Sequence, residues 1–231
     1  ADVQLVVAFR MLPEIVWSMP ALGTINVHAS LLPKYRGAAP INRAIINGEK
    51  ETGITTFKLQ QQIDTGNILM QEKISIDENE TAGELHDRLK ILGANVLVKT
   101  IKNITNGSLT EMPQSNIINN PEEIKHAPKI FTESCKIDCN NKADDIFNLI
   151  RGLSPYPTAF TYLDDKVLKI YFVIKEICLH HFDNGSVHSD GKSFLKFACA
   201  DGFIHCTDIQ LQGKKRMLIE EFLRGYKINS N

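Results

Sequence analysis

A chain of 231 residues with 43% hydrophobic and 23% charged side chains is long enough for one large domain or two smaller ones, each with a core of its own. Its formal net charge of −1 excludes a chain that is basic throughout, although a local basic surface stays open. No run reaches the ~18 apolar residues of a membrane span, the opening Ala1-Asp2-Val3 stretch lacks the basic start and cleavage pattern of a signal peptide, and five cysteines, an odd number, are expected as free thiols of a reducing, cytoplasmic setting.

The apolar run Val3–Ala8 predicts a strand buried on both faces. Pro13 can open a short helix reaching Met19. Thr24–His28 predicts a second buried strand, and Pro40–Asn47 a helix stopped by Asn47-Gly48. Gly53–Leu59 and Asn67–Ile76, rich in β-branched residues, predict strands on either side of a loop at Gln60–Gly66. Ala82–Ile104 predicts a long helix, capped by Thr81, carrying Leu85, Leu89, Leu92, Val96 and Ile101 on one face and ended by Asn106-Gly107. Strands alternating with helices imply an α/β, doubly wound, Rossmann-like parallel sheet.

Residues 107–124, rich in Asn, Pro, Ser and Glu, predict a linker between a domain at 1–106 and another at 125–231. In the second domain a helix is predicted at Lys142–Gly152 and another at Leu218–Arg224. Between them, segments at 158–163, 167–177, 194–199 and 203–211 alternate in polarity and are punctuated by Asp164-Asp165, Asn184-Gly185, Asp190-Gly191, Asp201-Gly202 and Gly213. That pattern predicts a small antiparallel β-barrel or sandwich. Cys135 and Cys139 are four residues apart with no second pair at zinc spacing, so they are expected to be unligated.

The chemistry concentrates in Ile25-Asn26-Val27-His28-Ala29-Ser30-Leu31-Leu32-Pro33-Lys34-Tyr35-Arg36-Gly37. Ligands of open α/β sheets bind beyond the carboxyl ends of the strands, where His28 falls. Position alone also fits an ordinary, satisfied histidine at a strand end. Asn26 and His28, two apart on one strand, project to the same face. Asp64 lies in the loop Gln60–Gly66, where Asp-Thr-Gly by itself is only a turn signal.

Taken together, the Asn-x-His-x-Ser-Leu-Leu-Pro run with its following Arg-Gly, and the Asp-Thr-Gly loop, resemble the folate-dependent formyltransferase family. The resemblance implies a formyltransferase domain with a catalytic trio of Asn26, His28 and Asp64. It implies 10-formyltetrahydrofolate as formyl donor, held along Phe9, Met11, Leu12, Ser30, Leu31, Leu32, Pro33, Gln62 and Ile63, with no metal. Arg10-Met11 departs from the small apolar sequence usual in that first loop. The residue types suit an amine attacking a formyl carbon: an amide can donate to the developing oxyanion, an imidazole can move a proton, and a carboxylate can orient it.

Within the family, Lys136-Ile137-Asp138, Ile150-Arg151-Gly152-Leu153-Ser154-Pro155-Tyr156-Pro157 and Gly213-Lys214-Lys215-Arg216-Met217 resemble motifs of the branch acting on methionyl initiator tRNA. The second domain would then be OB-like and bind tRNA. Residues from 125 onward hold 15 Lys/Arg against 13 Asp/Glu, too small an excess to carry the reading, so it rests on clusters. Lys34, Arg36, Arg151, Lys214, Lys215 and Arg216 are the candidate tRNA contacts. The alternatives are an amino-sugar nucleotide formyltransferase, a silent tRNA-binding module and a protein that hydrolyses formylfolate. His180-His181 is expected to have a structural or surface role. A monomer without membrane attachment is expected. The chain opens inside a strand without Met and lacks the family's βαβαβ front half, so it is expected to be a fragment, much less active alone than a full chain.

Overall fold

The computed structural model describes residues 1–7, 12–118 and 120–228. The chain divides into two compact units, one of residues 1–44, 49–78 and 84–129, the other of residues 45–48, 79–83 and 130–231.

The elements of the first part of the chain, in order, are β1 (Gln4–Val7), α1 (Glu14–Trp17), β2 (Thr24–His28), β3 (Arg36–Gly37), α2 (Pro40–Ile46), β4 (Glu51–Lys58), β5 (Ile68–Ser75), α3 (Ala82–Thr105) and β6 (His126–Ala127). Four of the strands form a sheet in the order β1-β2-β4-β5. Only β1 and β2 run parallel, and β4 is antiparallel to both β2 and β5. The expectation of a parallel sheet is therefore corrected. The sequence already held the reason: β4 and β5 are joined directly, and neighbouring strands without a crossover helix must run antiparallel. β2 lies between two partners, which explains why Thr24, Ile25, Asn26 and His28 are all buried.

The stripe of α3 that is buried comprises Leu85, Leu89, Gly93, Val96 and Thr100, at helical spacing. Leu92 and Ile101, expected on that face, sit half-buried at its margin. Gly93 lets the helix lie close to the sheet: a Cβ there would sit 3.5 Å from side-chain carbons of both Val27 and Ile54. Thr100 shares a buried hydroxyl hydrogen bond of 2.8 Å with Thr56 on β4, so a polar pair completes the apolar stripe. The loop after β2 is tied down by side chains. Thr55 Oγ1 donates to the Ser30 carbonyl at 2.6 Å and Gln71 Nε2 to the Leu32 carbonyl at 2.8 Å. Tyr35 Oη donates to Glu49 at 2.8 Å, and Lys125 Nζ donates to the same carboxylate. Burial pushes the Glu49 carboxyl up, but the donors Lys125 and Tyr35 outweigh it, and the group titrates below its usual range.

The second unit is built from α4 (Ala143–Leu153), β7 (Ala159–Leu163), β8 (Lys166–Ile177), β9 (Val187–Ser189), β10 (Leu195–Cys199), β11 (Gly202–Leu211), β12 (Met217–Leu218) and α5 (Ile219–Gly225). All its pairings are antiparallel, in the order β7-β8-β11-β10-β9, with β12 on β11. The ladder is an open path: among the described residues no pairing closes β7 onto β9. α4 places Ala143, Ile146, Ile150 and Leu153 against Leu168, Ile170, Leu195, Ile204 and Ile209, and α5 adds Phe222 and Leu223. Asp201, in the turn between β10 and β11, accepts the Ala143 backbone N–H at 2.7 Å and so caps α4. The described residues include no helix long and apolar enough to cross a membrane.

Two outcomes follow from this packing. Ile150 is 1% exposed at the centre of the second core, so Ile150→Ala should cost roughly 2–5 kcal/mol of stability. Equilibrium denaturant unfolding would read this as a lower midpoint, with little change in slope if compactness is kept. Glu49→Gln should also destabilise at neutral pH. A depressed folded-state pKa means that the carboxylate's contribution is present above its unfolded value and is lost as pH falls through the folded one. The gap between variant and parent should therefore close below the usual carboxylate range.

Candidate active site

β2 presents Asn26 and His28 two residues apart, both 6% exposed. The imidazole is held at both nitrogens. Nε2 stands 2.9 Å from the Tyr35 carbonyl, and Nδ1 stands 3.7 Å from Asp64 Oδ2. A carbonyl only accepts, so Nε2 carries the hydrogen of that bond. In the neutral ring Nδ1 is then bare and faces the carboxylate. The 3.7 Å gap is too long for a hydrogen bond but short enough for the charge to act. Phe57 packs edge-on against the ring at 6.3 Å. The Asn26 Oδ1 atom is buried and has no hydrogen-bond partner in the protein. Such an atom costs about 1–3 kcal/mol unless something else fills it.

Asp64 is fixed at carboxylate and backbone. Its Oδ2 accepts the Gly37 N–H at 2.8 Å, while its carbonyl accepts Gln114 Nε2 at 2.9 Å. Its φ of 54° lies in the left-handed region, which aspartate tolerates better than most residues. Gly37 is required where it stands: its φ is 123°, and a Cβ there would meet the Ala127 carbonyl oxygen at 2.6 Å. Next to it, Arg36 donates from Nε and Nη2 to Gln114 Oε1 at 3.1 and 2.6 Å. Burial lowers the guanidinium's proton affinity, and nearby Asp64 partly restores it.

These groups border a cavity of about 1000 Å³ lined by Leu12, Trp17, Asn26, His28, Gly37, Gln60–Asp64, Leu89, Lys90 and Gly93, among others. The expected trio thus shares one cavity. Of the expected folate contacts, Leu12, Gln62 and Ile63 line it, and Phe9 and Met11 lie outside the described residues. Ser30, Leu31, Leu32 and Pro33 are not among its lining residues. Ser30 is fully buried and donates to the Lys34 carbonyl at 2.6 Å, and Leu32 packs with Phe57 and Ile68, so both shape the loop from behind.

Among the expected tRNA contacts, Lys34, Lys214 and Lys215 are exposed. Arg216 is also exposed, but it forms a bidentate pair with Asp208 and lies over the Tyr171 ring at 4.0 Å. Arg151 is 5% exposed, with Nε on Asn148 at 2.8 Å and Nη1 on the Glu80 carbonyl at 3.1 Å, a setting that anchors backbone and does not offer charge to solvent. His180 takes the structural form of its expected role: its Nε2 meets the Cys199 carbonyl at 2.7 Å and its ring stacks on Phe182. Sequence reasoning missed the Tyr35 carbonyl, Gly37 N–H, Trp17 and Gln114. Backbone groups leave no sequence trace, and Gln114 fell in the stretch read as linker. The chain's single tryptophan was the one available hint at Trp17. Among the described residues no group of three or more His, Cys, Asp or Glu is placed to hold a metal ion.

Comparison with known proteins agrees with this geometry. Residues 1–101 match the family described as formyl transferase, and residues 129–227 match the formyl transferase C-terminal domain. Methionyl-tRNA formyltransferase of Phocaeicola vulgatus is 50% identical over 236 residues, covering 100% of this chain and 73% of that protein. Two solved structures share the fold at low identity. HypX from Aquifex aeolicus in complex with tetrahydrofolic acid has a TM-score of 0.69 at 16% identity, covering 100% of this chain and 40% of that one. WlaRD, a sugar 3N-formyl transferase solved in the presence of dTdp and 5-N-formyl-THF, has a TM-score of 0.67 at 24% identity, covering 91% and 73%. With both family segments in place and half of its residues shared with such a relative across its whole length, the chain belongs to the methionyl-tRNA formyltransferase family.

Proposed function

We propose that this chain transfers a formyl group from 10-formyltetrahydrofolate to the amino group of methionine carried on initiator tRNA. The observation that carries the reading is the single cavity lined by Asn26, whose buried amide oxygen has no partner in the protein, by His28, with one bare nitrogen, and by the Asp64 carboxylate. Leu12, Gln62 and Ile63, with the backbone of residues 60–64, would hold the folate, and by family resemblance Phe9 and Met11 would join them. The folate supplies a formyl carbon that an amine can attack.

The residues divide the remaining work. The attacking amine must lose a proton, and His28 Nδ1 is the bare acceptor facing the cavity. The imidazolium that results is stabilised by Asp64, which keeps its own place through the Gly37 N–H, and the proton passes to the folate nitrogen as the bond from that nitrogen to the formyl carbon breaks. The Asn26 amide donates to the formyl oxygen as negative charge gathers there, and its carbonyl oxygen is free to accept an N–H of the amine.

Residues 1–106 are read as the catalytic portion, 107–124 as the connection and 125–231 as an OB-like tRNA-binding module. The six antiparallel strands of the second unit and its basic loop support that reading. With Arg216 committed to Asp208, Lys214 and Lys215 are the cluster's outward charges. Lys34 stands exposed in the loop after β2 and is read as an acceptor-end contact, with Arg36 behind it.

Formyl-transfer assays with methionyl initiator tRNA, glycinamide ribonucleotide and an amino-sugar nucleotide test the proposal. Turnover should appear with the first. His28→Ala should abolish it, and Asn26→Ala should slow it roughly 100- to 1000-fold, both leaving tRNA binding intact. Turnover only with the sugar nucleotide would reject the tRNA reading. Replacing Lys214 and Lys215 together should flatten the salt dependence of tRNA binding by about one unit of slope per lysine. An unchanged slope would remove them from the interface.

A further inference from the structure

We propose that Gln114 is a positioning residue for the reaction: it holds Asp64 at the distance from which the carboxylate acts on His28. This rests on the catalytic reading above and assigns work to a residue that touches none of the reacting atoms.

The side chain is 3% exposed, and its amide is filled in every direction. Both hydrogens of Nε2 are used, one on the Asp64 carbonyl and one on the Gly66 carbonyl, each at 2.9 Å. Oε1 takes two donors from the Arg36 guanidinium. One amide therefore joins the loop between β4 and β5 to the strand β3. The same two segments meet again where the Gly37 N–H reaches Asp64 Oδ2 at 2.8 Å. Asp64 is thus fixed at its carbonyl by Gln114 and at its carboxylate by the residue adjoining Arg36.

Gln114 is itself well placed to serve as an anchor. Two residues earlier, Met112 pairs with Ile68 through both backbone hydrogen bonds, at 2.8 and 2.9 Å, at the start of β5. Glu111 is bound by Lys58 and by Asn67. The segment is fastened to the exit of the very loop it steadies. The loop needs such support. Asp64 sits at φ 54°, a conformation that persists only where the surroundings over-determine it. Neighbouring Gln60–Ile63 are mostly exposed and supply few contacts. Only glutamine meets the demand: glutamate has no hydrogens for the two carbonyls, and asparagine is one methylene shorter.

The test uses Gln114→Met, which keeps length without polar atoms, and Gln114→Glu, which keeps an acceptor for Arg36 but loses both donors to the loop. In the formyl-transfer assay each should lower kcat by roughly 10- to 100-fold with little change in KM for the tRNA. Thermal unfolding of each variant reports folding separately, and Gln114→Glu decides if Gln114→Met folds poorly. A lowered melting temperature with kcat unchanged would make Gln114 merely structural and overturn the proposal, as would wild-type kinetics in Gln114→Glu. His28→Ala and Asp64→Asn run alongside: full activity in those two would instead reject the catalytic reading.

Discussion

The carbonyl of Tyr35 decides what His28 can do. By taking the hydrogen on Nε2 at 2.9 Å, it leaves Nδ1 bare on the side where Asp64 stands. If the carbonyl were turned away, either nitrogen could carry the hydrogen, and Nδ1 would no longer be held as an acceptor. The backbone there is correspondingly constrained. Tyr35 has a φ of 62°, unusual for an aromatic residue, and its phenol is tied to Glu49, which Lys125 also holds. An ion pair on the loop's outer side thus reaches the site through one peptide unit.

The same economy governs Asp64. A carboxylate in hydrogen-bond contact with an imidazole would hold the proton in place, and one left free in water would scarcely influence it. At 3.7 Å, with its Oδ2 already accepting the Gly37 N–H, Asp64 acts on His28 mainly through charge. Gly37 can do this because the chain passes within van der Waals contact of Ala127 there, a closeness that no Cβ would permit. The geometry of the candidate site is therefore set largely by backbone groups of β3 and its neighbours, and side chains take their places against them.

That division explains what could be read from the residues alone. Asn26, His28 and Asp64 were legible because chemistry chooses their types, and the alternation of β2 puts the first two on one face. The boundaries of β2, β8 and α3 were also legible, since periodicity and turn residues mark them. The direction of β4 and β5 was misread because alternation with helices was weighed above the directness of their connection. The two-residue strands β3, β6 and β12 carry no periodicity at all. The cap of α4 could not be foreseen, since its own Lys142 has no capping side chain and Asp201 supplies the acceptor from a turn 58 residues away. Ser30, Leu32 and Arg151 look like site residues in a motif, yet the structure buries each behind the surface it shapes.

Motif residues therefore divide into those that meet substrate and those that hold the former still, and the sequence does not separate them. The difference is visible only in where each polar atom finds its partner. Ser30 Oγ and the Arg151 guanidinium are buried and find partners within the protein. Asn26 Oδ1 is buried among satisfied neighbours and unsatisfied itself. Folding tolerates few such atoms, because each costs a lost hydrogen bond to water. On a residue that lines a large cavity, two residues along a strand from a histidine lining the same cavity, such an atom fits the reading proposed for the site.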